Sequence, residues 1–194
     1  MKIKKSVSSA IISESIRTFR RFRQTQTETI SVISEKIISA FKRGSKVIVF
    51  GNGGSAADAQ HFAAELLVKF EKRRKALPAI ALNTNTSAIT ACANDFSYED
   101  IFSRQLEALL SEGDVVIGIS TSGNSPNVVK ALEYAARNFN NVETIAFTGE
   151  DGGKVKEIAH ITLRAPHQST ARIQECHILA IHAICKIIET SLEP

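Results

Sequence analysis

Three cysteines in 194 residues (Cys92, Cys176 and Cys185) are too few and too widely spaced for a disulfide framework, and no CxxC pair offers a thiolate zinc site. No window of 18 uninterrupted apolar residues occurs, so no membrane-spanning helix is expected. The start, MKIKKSVSSAII, is basic but lacks the sustained apolar stretch of a signal peptide, and a reducing, cytoplasmic setting is expected. A strong excess of either charge is also absent. With 24 Lys and Arg against 20 Asp and Glu, a formal net charge of +4 and 43% hydrophobic residues, the chain does not read as disordered. The small excess is local: residues 1–43 carry 10 basic and 3 acidic side chains, residues 44–194 carry 14 and 17. Length predicts one domain with an appendage.

The appendage, residues 1–43, reads as helix packed on the core or on a neighbouring subunit. Ile11, Ile12, Ser15, Phe19 and Phe22 form one stripe, and Ile30, Ile33, Ile37, Ile38 and Phe41 another, at helical spacing and without proline. Gln24-Thr25-Gln26-Thr27 divides two helices or bends a single one, and Gly44 ends the segment. Arg17, Arg20, Arg21 and Arg23 suit a solvated face or a subunit contact better than a grip on nucleic acid, so no nucleic-acid partner is expected.

From Lys46 the pattern alternates. Strands are predicted at 47–50, 78–82, 114–119, 142–147 and 160–163. Helices are predicted at 56–70, 87–93, 99–110, 126–139, 152–157 and 171–192. Short, near-continuously apolar strands joined by helices predict an α/β fold: a three-layer αβα sandwich around a parallel sheet of about five strands, spanning 44–194, plus the N-terminal helical extension. Ligands in such folds bind beyond the carboxyl ends of the strands, in the loops at 51–55, 83–86, 120–125 and 148–152.

Two of those loops suit one phosphate. Gly51-Asn52-Gly53-Gly54-Ser55 follows a strand and opens a helix, whose N-terminus favours an anion. Gly51, Gly53 and Ala56 match a loose dinucleotide fingerprint, but the next strand ends in Leu82-Asn83 where an acidic residue would be needed. The absence of G-K-[ST] removes the P-loop reading. Ser120-Thr121-Ser122-Gly123-Asn124-Ser125-Pro126 supplies four hydroxyls and a helix start expected to be capped by Ser125. Hydroxyls and backbone N–H groups without a dedicated lysine suit a small monophosphate.

His61 and Glu65 share a helix face, as do Gln174 and His182, eight residues apart on an otherwise apolar helix. Two imidazoles, a carboxylate and an amide would suit zinc or a related divalent ion. Spacing leaves open whether each histidine is a ligand or a satisfied core residue, and His177 reads as core.

The run from Gly51 through Glu65, with Asn94-Asp95-Phe96, Gly118 through Ser125, and Arg172-Ile173-Gln174-Glu175 leading to His182, resembles the sugar isomerase domain of the phosphoheptose isomerase family. The resemblance covers nearly the whole chain. It implies conversion of sedoheptulose 7-phosphate to D-glycero-D-manno-heptose 7-phosphate, the first step toward the activated heptose of lipopolysaccharide core, capsule or other surface glycans. It further implies a cytoplasmic homotetramer with one zinc ion per subunit, held by His61, Glu65, Gln174 and His182. Substrate contacts would fall on Asn52, Gly53, Gly54, Ser55, Glu65, Asn94, Asp95, Ser120, Thr121, Ser122, Ser125 and Gln174, with Glu65 and His182 catalytic. Leu77 through Thr84 and Ile187 through Leu192 also resemble the initiator-associating proteins, non-catalytic scaffolds that bind the bacterial replication initiator. Those proteins usually lack the counterparts of Glu65 and His182, which this chain keeps. It departs from many isomerases at Lys69, where they have Arg, and at Ala171, where some have an acid.

Overall fold

The computed structural model describes residues 2–192, with side chains from residue 5 onward. A single helix, α1 (Lys2–Lys42), leads into β1 (Val47–Gly51), α2 (Gly54–Leu67), β2 (Ala79–Ala81), α3 (Thr86–Asp95), a 3-10 turn (Tyr98–Asp100) and α4 (Ser103–Leu109). Then follow β3 (Val115–Ile119), α5 (Pro126–Asn138), β4 (Glu143–Thr148), a second 3-10 turn (Lys154–Glu157), β5 (Ile161–Arg164) and α6 (Thr170–Ser191). All strand pairs are parallel, in the order β2-β1-β3-β4-β5.

Strand alternation builds the three layers. Val47 and Val49 face a buried cluster with Phe62, Leu66, Ile173, Ile181 and Ile184, the side of α1, α2 and α6. Ile48 and Phe50 face the opposite cluster with Phe102, Leu106, Val128 and Leu132, the side of α3, α4 and α5. With helices on both faces the strands are buried on each, as their near-continuous apolar runs require. No helix among the described residues is long and apolar enough to cross a membrane.

The polar stretch in the N-terminal segment neither divides nor ends α1. Thr25 and Thr27 hydroxyls donate back to the carbonyls of Arg21 and Arg23, so they satisfy the helix they might have broken. Gln26 accepts the N–H of Arg164, covering part of the β5 edge. Phe22, Ile33 and Ile37 are buried in the α1–α6 layer. The first half of the expected stripe is not: Ile11 and Ile12, with Val7 and Ile16, are exposed in the single chain. There α1 meets α6 through polar groups, Arg172 donating to the Ile11 carbonyl and lying 3.5 Å from Glu14. Arg21 of the basic cluster pairs with Glu150 at 2.8 Å.

His177 is core, as its place in the sequence suggested. It is fully buried, donates from Nε2 to the Thr148 carbonyl at 3.1 Å, and has its pKa lowered to about 4 by burial, only partly offset by that bond. A histidine neutral in the native state and able to charge near pH 6.5 when unfolded favours unfolding as pH falls. Stability is therefore expected to be fully present above about pH 6.5 and to decline toward about pH 4, by at most about 3 kcal/mol. Denaturant titrations across that window check this; His177→Gln should show a shallower decline.

Candidate active site

The sheet order reverses between β1 and β3: the chain leaves β1 toward β2 on one side, and β3 toward β4 and β5 on the other. The crevice beyond such a switch point is where α/β sheets bind ligands. The two loops expected to share an anion, 52–55 after β1 and 120–125 after β3, sit side by side there, with Gly51 paired to Ile119 in the ladder.

In the β3 loop, Ser125 occupies the N-cap position of α5 with Pro126 behind it, but its side chain makes no capping bond. Its hydroxyl pairs instead with that of Ser120 at 2.9 Å. Asn127 accepts the Val128 N–H in its place, which corrects the expected cap and leaves both serine hydroxyls turned inward to the loop. Thr121 and Ser122 open on a cavity of about 340 Å³ shared with Gly149, Glu150, His167 and Ile173. Gly123 is obligatory here: its φ is +66°, and a Cβ would overlap the carbonyl of Gly152.

A reciprocal amide pair joins the two loops. Asn52 Nδ2 donates to Asn127 Oδ1 and Asn127 Nδ2 donates to Asn52 Oδ1, each at 2.9 Å, with Asn127 2% exposed. Tyr98 adds its hydroxyl to Asn52 Oδ1 at 3.2 Å. Asn127 was not among the expected site residues, because behind Ser125-Pro126 it reads as an ordinary first-turn residue. Asn83, the residue that spoiled the dinucleotide fingerprint, holds both the N–H and the carbonyl of Gly51. Asn94 and Asp95 close α3 and hydrogen bond with each other at 2.7 Å.

The second half of the site lies where α2 meets α6. His61 Nε2 is 3.0 Å from His182 Nε2 and 3.5 Å from Glu65 Oε1, so residues more than a hundred positions apart converge, which their spacing had left open. Gln174, two turns before His182, rests against Gly54, where a Cβ would overlap its amide. The same residue thus touches the glycine loop while its helix carries the imidazole. Asp58, one turn before His61, is pushed up to about 6 by burial, with His61 acting in the opposite direction. Two imidazoles and a carboxylate are chemically suited to zinc. Among the described residues, however, no group of three or more His, Cys, Asp or Glu arranged to hold a metal ion is present. The cysteines take no part: all three are buried, and burial pushes Cys176 and Cys185 up to about 12.

Comparison with known proteins matches residues 12–149 to the SIS domain model. Phosphoheptose isomerase of Aquifex aeolicus is 51% identical over 179 residues, covering 92% of this chain and 93% of that one. The probable phosphoheptose isomerase of Thermoplasma acidophilum is 58% identical over 162 residues, covering 84% and 88%. The chain belongs to the phosphoheptose isomerase family. The solved structure of the Neisseria gonorrhoeae family member superposes with a TM-score of 0.89 at 42% identity, over 96% of this chain and 98% of that one. That of Francisella tularensis gives 0.91 at 35% identity, over 98% and 99%. The family likeness therefore extends beyond residue 149 through α6, which carries Gln174 and His182.

Proposed function

We propose that this chain isomerises sedoheptulose 7-phosphate to D-glycero-D-manno-heptose 7-phosphate, with the phosphate in the two β-strand loops and the chemistry between α2 and α6. The observation that carries this reading is the convergence of His61, Glu65 and His182 beside a separate hydroxyl-rich anion site. Interconverting a 2-ketose and an aldose moves one proton between C1 and C2 and another between the two oxygens. Glu65 takes a proton from C1, exchanges it with solvent while the ene-diol stands, and delivers a proton to C2, while His182 carries the oxygen proton. Ser120, Thr121, Ser122 and Ser125, with Asn52, Gly53, Gly54 and Ser55, hold the remote phosphate, whose binding energy positions C1 and C2. Asn94, Asp95 and Gln174 complete the substrate contacts.

One zinc ion per subunit is part of this reading, with His61, Glu65, Gln174 and His182 as its ligands; when bound it polarises the carbonyl and stabilises negative charge on oxygen. The active form is a cytoplasmic homotetramer, whose subunit contacts would cover the apolar residues Val7, Ile11, Ile12 and Ile16 that the single chain leaves exposed. Turnover of sedoheptulose 7-phosphate, set beside a pull-down with the replication initiator, tests the proposal. Product formation supports it; capture of the initiator without any turnover would overturn it.

Asn127→Ala is expected to raise KM for the sugar phosphate about 30-fold, because Asn52 loses two bonds worth about 1 kcal/mol each, with a smaller change in kcat. Steady-state kinetics check this.

A further inference from the structure

Glu189 is a 2% exposed carboxylate on α6, seven residues beyond His182. A buried charge needs partners, and it collects three in a row: the N–H groups of Phe70, Glu71 and Lys72 at 3.3, 3.0 and 3.0 Å. Successive N–H groups curled toward one point form an anion nest, and here the anion is the protein's own side chain. Burial alone would raise the Glu189 pKa, but the three N–H groups and Arg74 outweigh it and hold the carboxyl below its usual range.

Arg74 extends the arrangement to the other catalytic helix. Its Nε lies 3.7 Å from Glu189 Oε1. Its Nη2 donates to the Glu65 carbonyl at 2.7 Å, and its Nη1 to the carbonyls of Leu66 and Lys75 at 2.8 and 3.0 Å. Those first two carbonyls are among the orphan acceptors at the end of α2, so Arg74 caps the helix that carries His61 and Glu65. On the nest side, the Phe70 ring stands 5.8 Å from the His182 ring. A continuous path thus runs from the Glu65 backbone through Arg74, Glu189 and Phe70 to His182. Among the described residues, the hydrogen bonds and ion pair of Arg74 and Glu189 lie with residues 65–75 and with each other, while the phosphate loops are tied separately through Asn52 and Asn127.

We propose that Glu189 and Arg74 are positioning residues that fix Glu65 against His182, setting turnover without setting phosphate affinity. The inference rests on the isomerase reading above. Proton transfer requires both groups within hydrogen-bond reach of the sugar, and a displacement of about 1 Å can cost about 100-fold in rate. Neither residue touches the reacting atoms; each acts through the relative placement of α2 and α6.

The test is Glu189→Gln, with Arg74→Lys and Glu189→Asp beside it, in steady-state kinetics with sedoheptulose 7-phosphate, thermal melting and imidazole NMR. Glu189→Gln is expected to lower kcat about 10- to 100-fold with KM within about twofold of wild type, while the protein remains folded at the assay temperature. Arg74→Lys, which keeps the charge but loses the fork, should lose kcat in the same sense, and Glu189→Asp should recover part of it. Unchanged kcat in folded Glu189→Gln, or a rise in KM matching the fall in kcat, would overturn the proposal. Should Glu189→Gln not fold, Arg74→Lys decides by the same criteria. A wild-type chain without turnover would overturn the isomerase reading instead. The positioning role is then read from the His182 imidazole resonances, which should shift in either variant and whose constancy would refute it.

Discussion

Glu65→Gln is expected to lower turnover of sedoheptulose 7-phosphate by about 10²- to 10⁴-fold, the usual worth of a positioned general base. The substitution preserves size and leaves an oxygen near His61 Nε2, from which the Glu65 carboxylate stands 3.5 Å away, but removes the group that can accept a carbon-bound proton. Its structural cost should be small, because Arg74 holds the backbone carbonyl of residue 65 and not its side chain. Calorimetric titration with the sugar phosphate should accordingly show binding retained, since the phosphate loops are untouched. A variant that turned over at near wild-type rate would remove Glu65 from the chemistry.

Gly54→Ala should cost about 100-fold in kcat/KM while leaving the fold intact. Gly54 is the first residue of α2 and has no positive φ, so its backbone accepts alanine, which is also the better helix former. The added Cβ would overlap the Gln174 amide, the mobile end of a long side chain, and the easiest relief is for that amide to leave the site. Thermal melting close to wild type together with the kinetic loss would place the effect on Gln174. Full activity would show that Gln174 can move without consequence.

Much of the fold was legible because the strands announce themselves. Val47-Ile48-Val49-Phe50 is apolar throughout, as only a strand buried on both faces can be, and the structure divides its side chains between two cores. The loops after β1 and β3 followed from residue type and spacing, whereas the meeting of α2 with α6 was implied only by the family resemblance. Long-range polar contacts followed from neither. The helix expected to reach Phe70 ends at Leu67, where Arg74 takes up the carbonyls of Glu65 and Leu66 and Glu189 the N–H groups of residues 70–72. A tertiary contact spanning more than a hundred residues overrode a local helical pattern. One signal was present: Glu189 adjoins Ile187 and Ile188 and follows Cys185 by one turn, so it falls on the buried side of α6, where a charge must have a partner. Asn127 carried no such mark, and α1 looked divisible only because its threonines gave no sign of turning back onto their own helix.

The joint claim of the site is that a carbon-bound hydrogen leaves sedoheptulose 7-phosphate as a proton, while the phosphate is held apart from the chemistry. Proton NMR of the wild-type chain turning over that substrate in D₂O tests it most directly. Formation of D-glycero-D-manno-heptose 7-phosphate carrying deuterium at C2 is expected. Absence of product, or product with no deuterium at C2, would contradict the account.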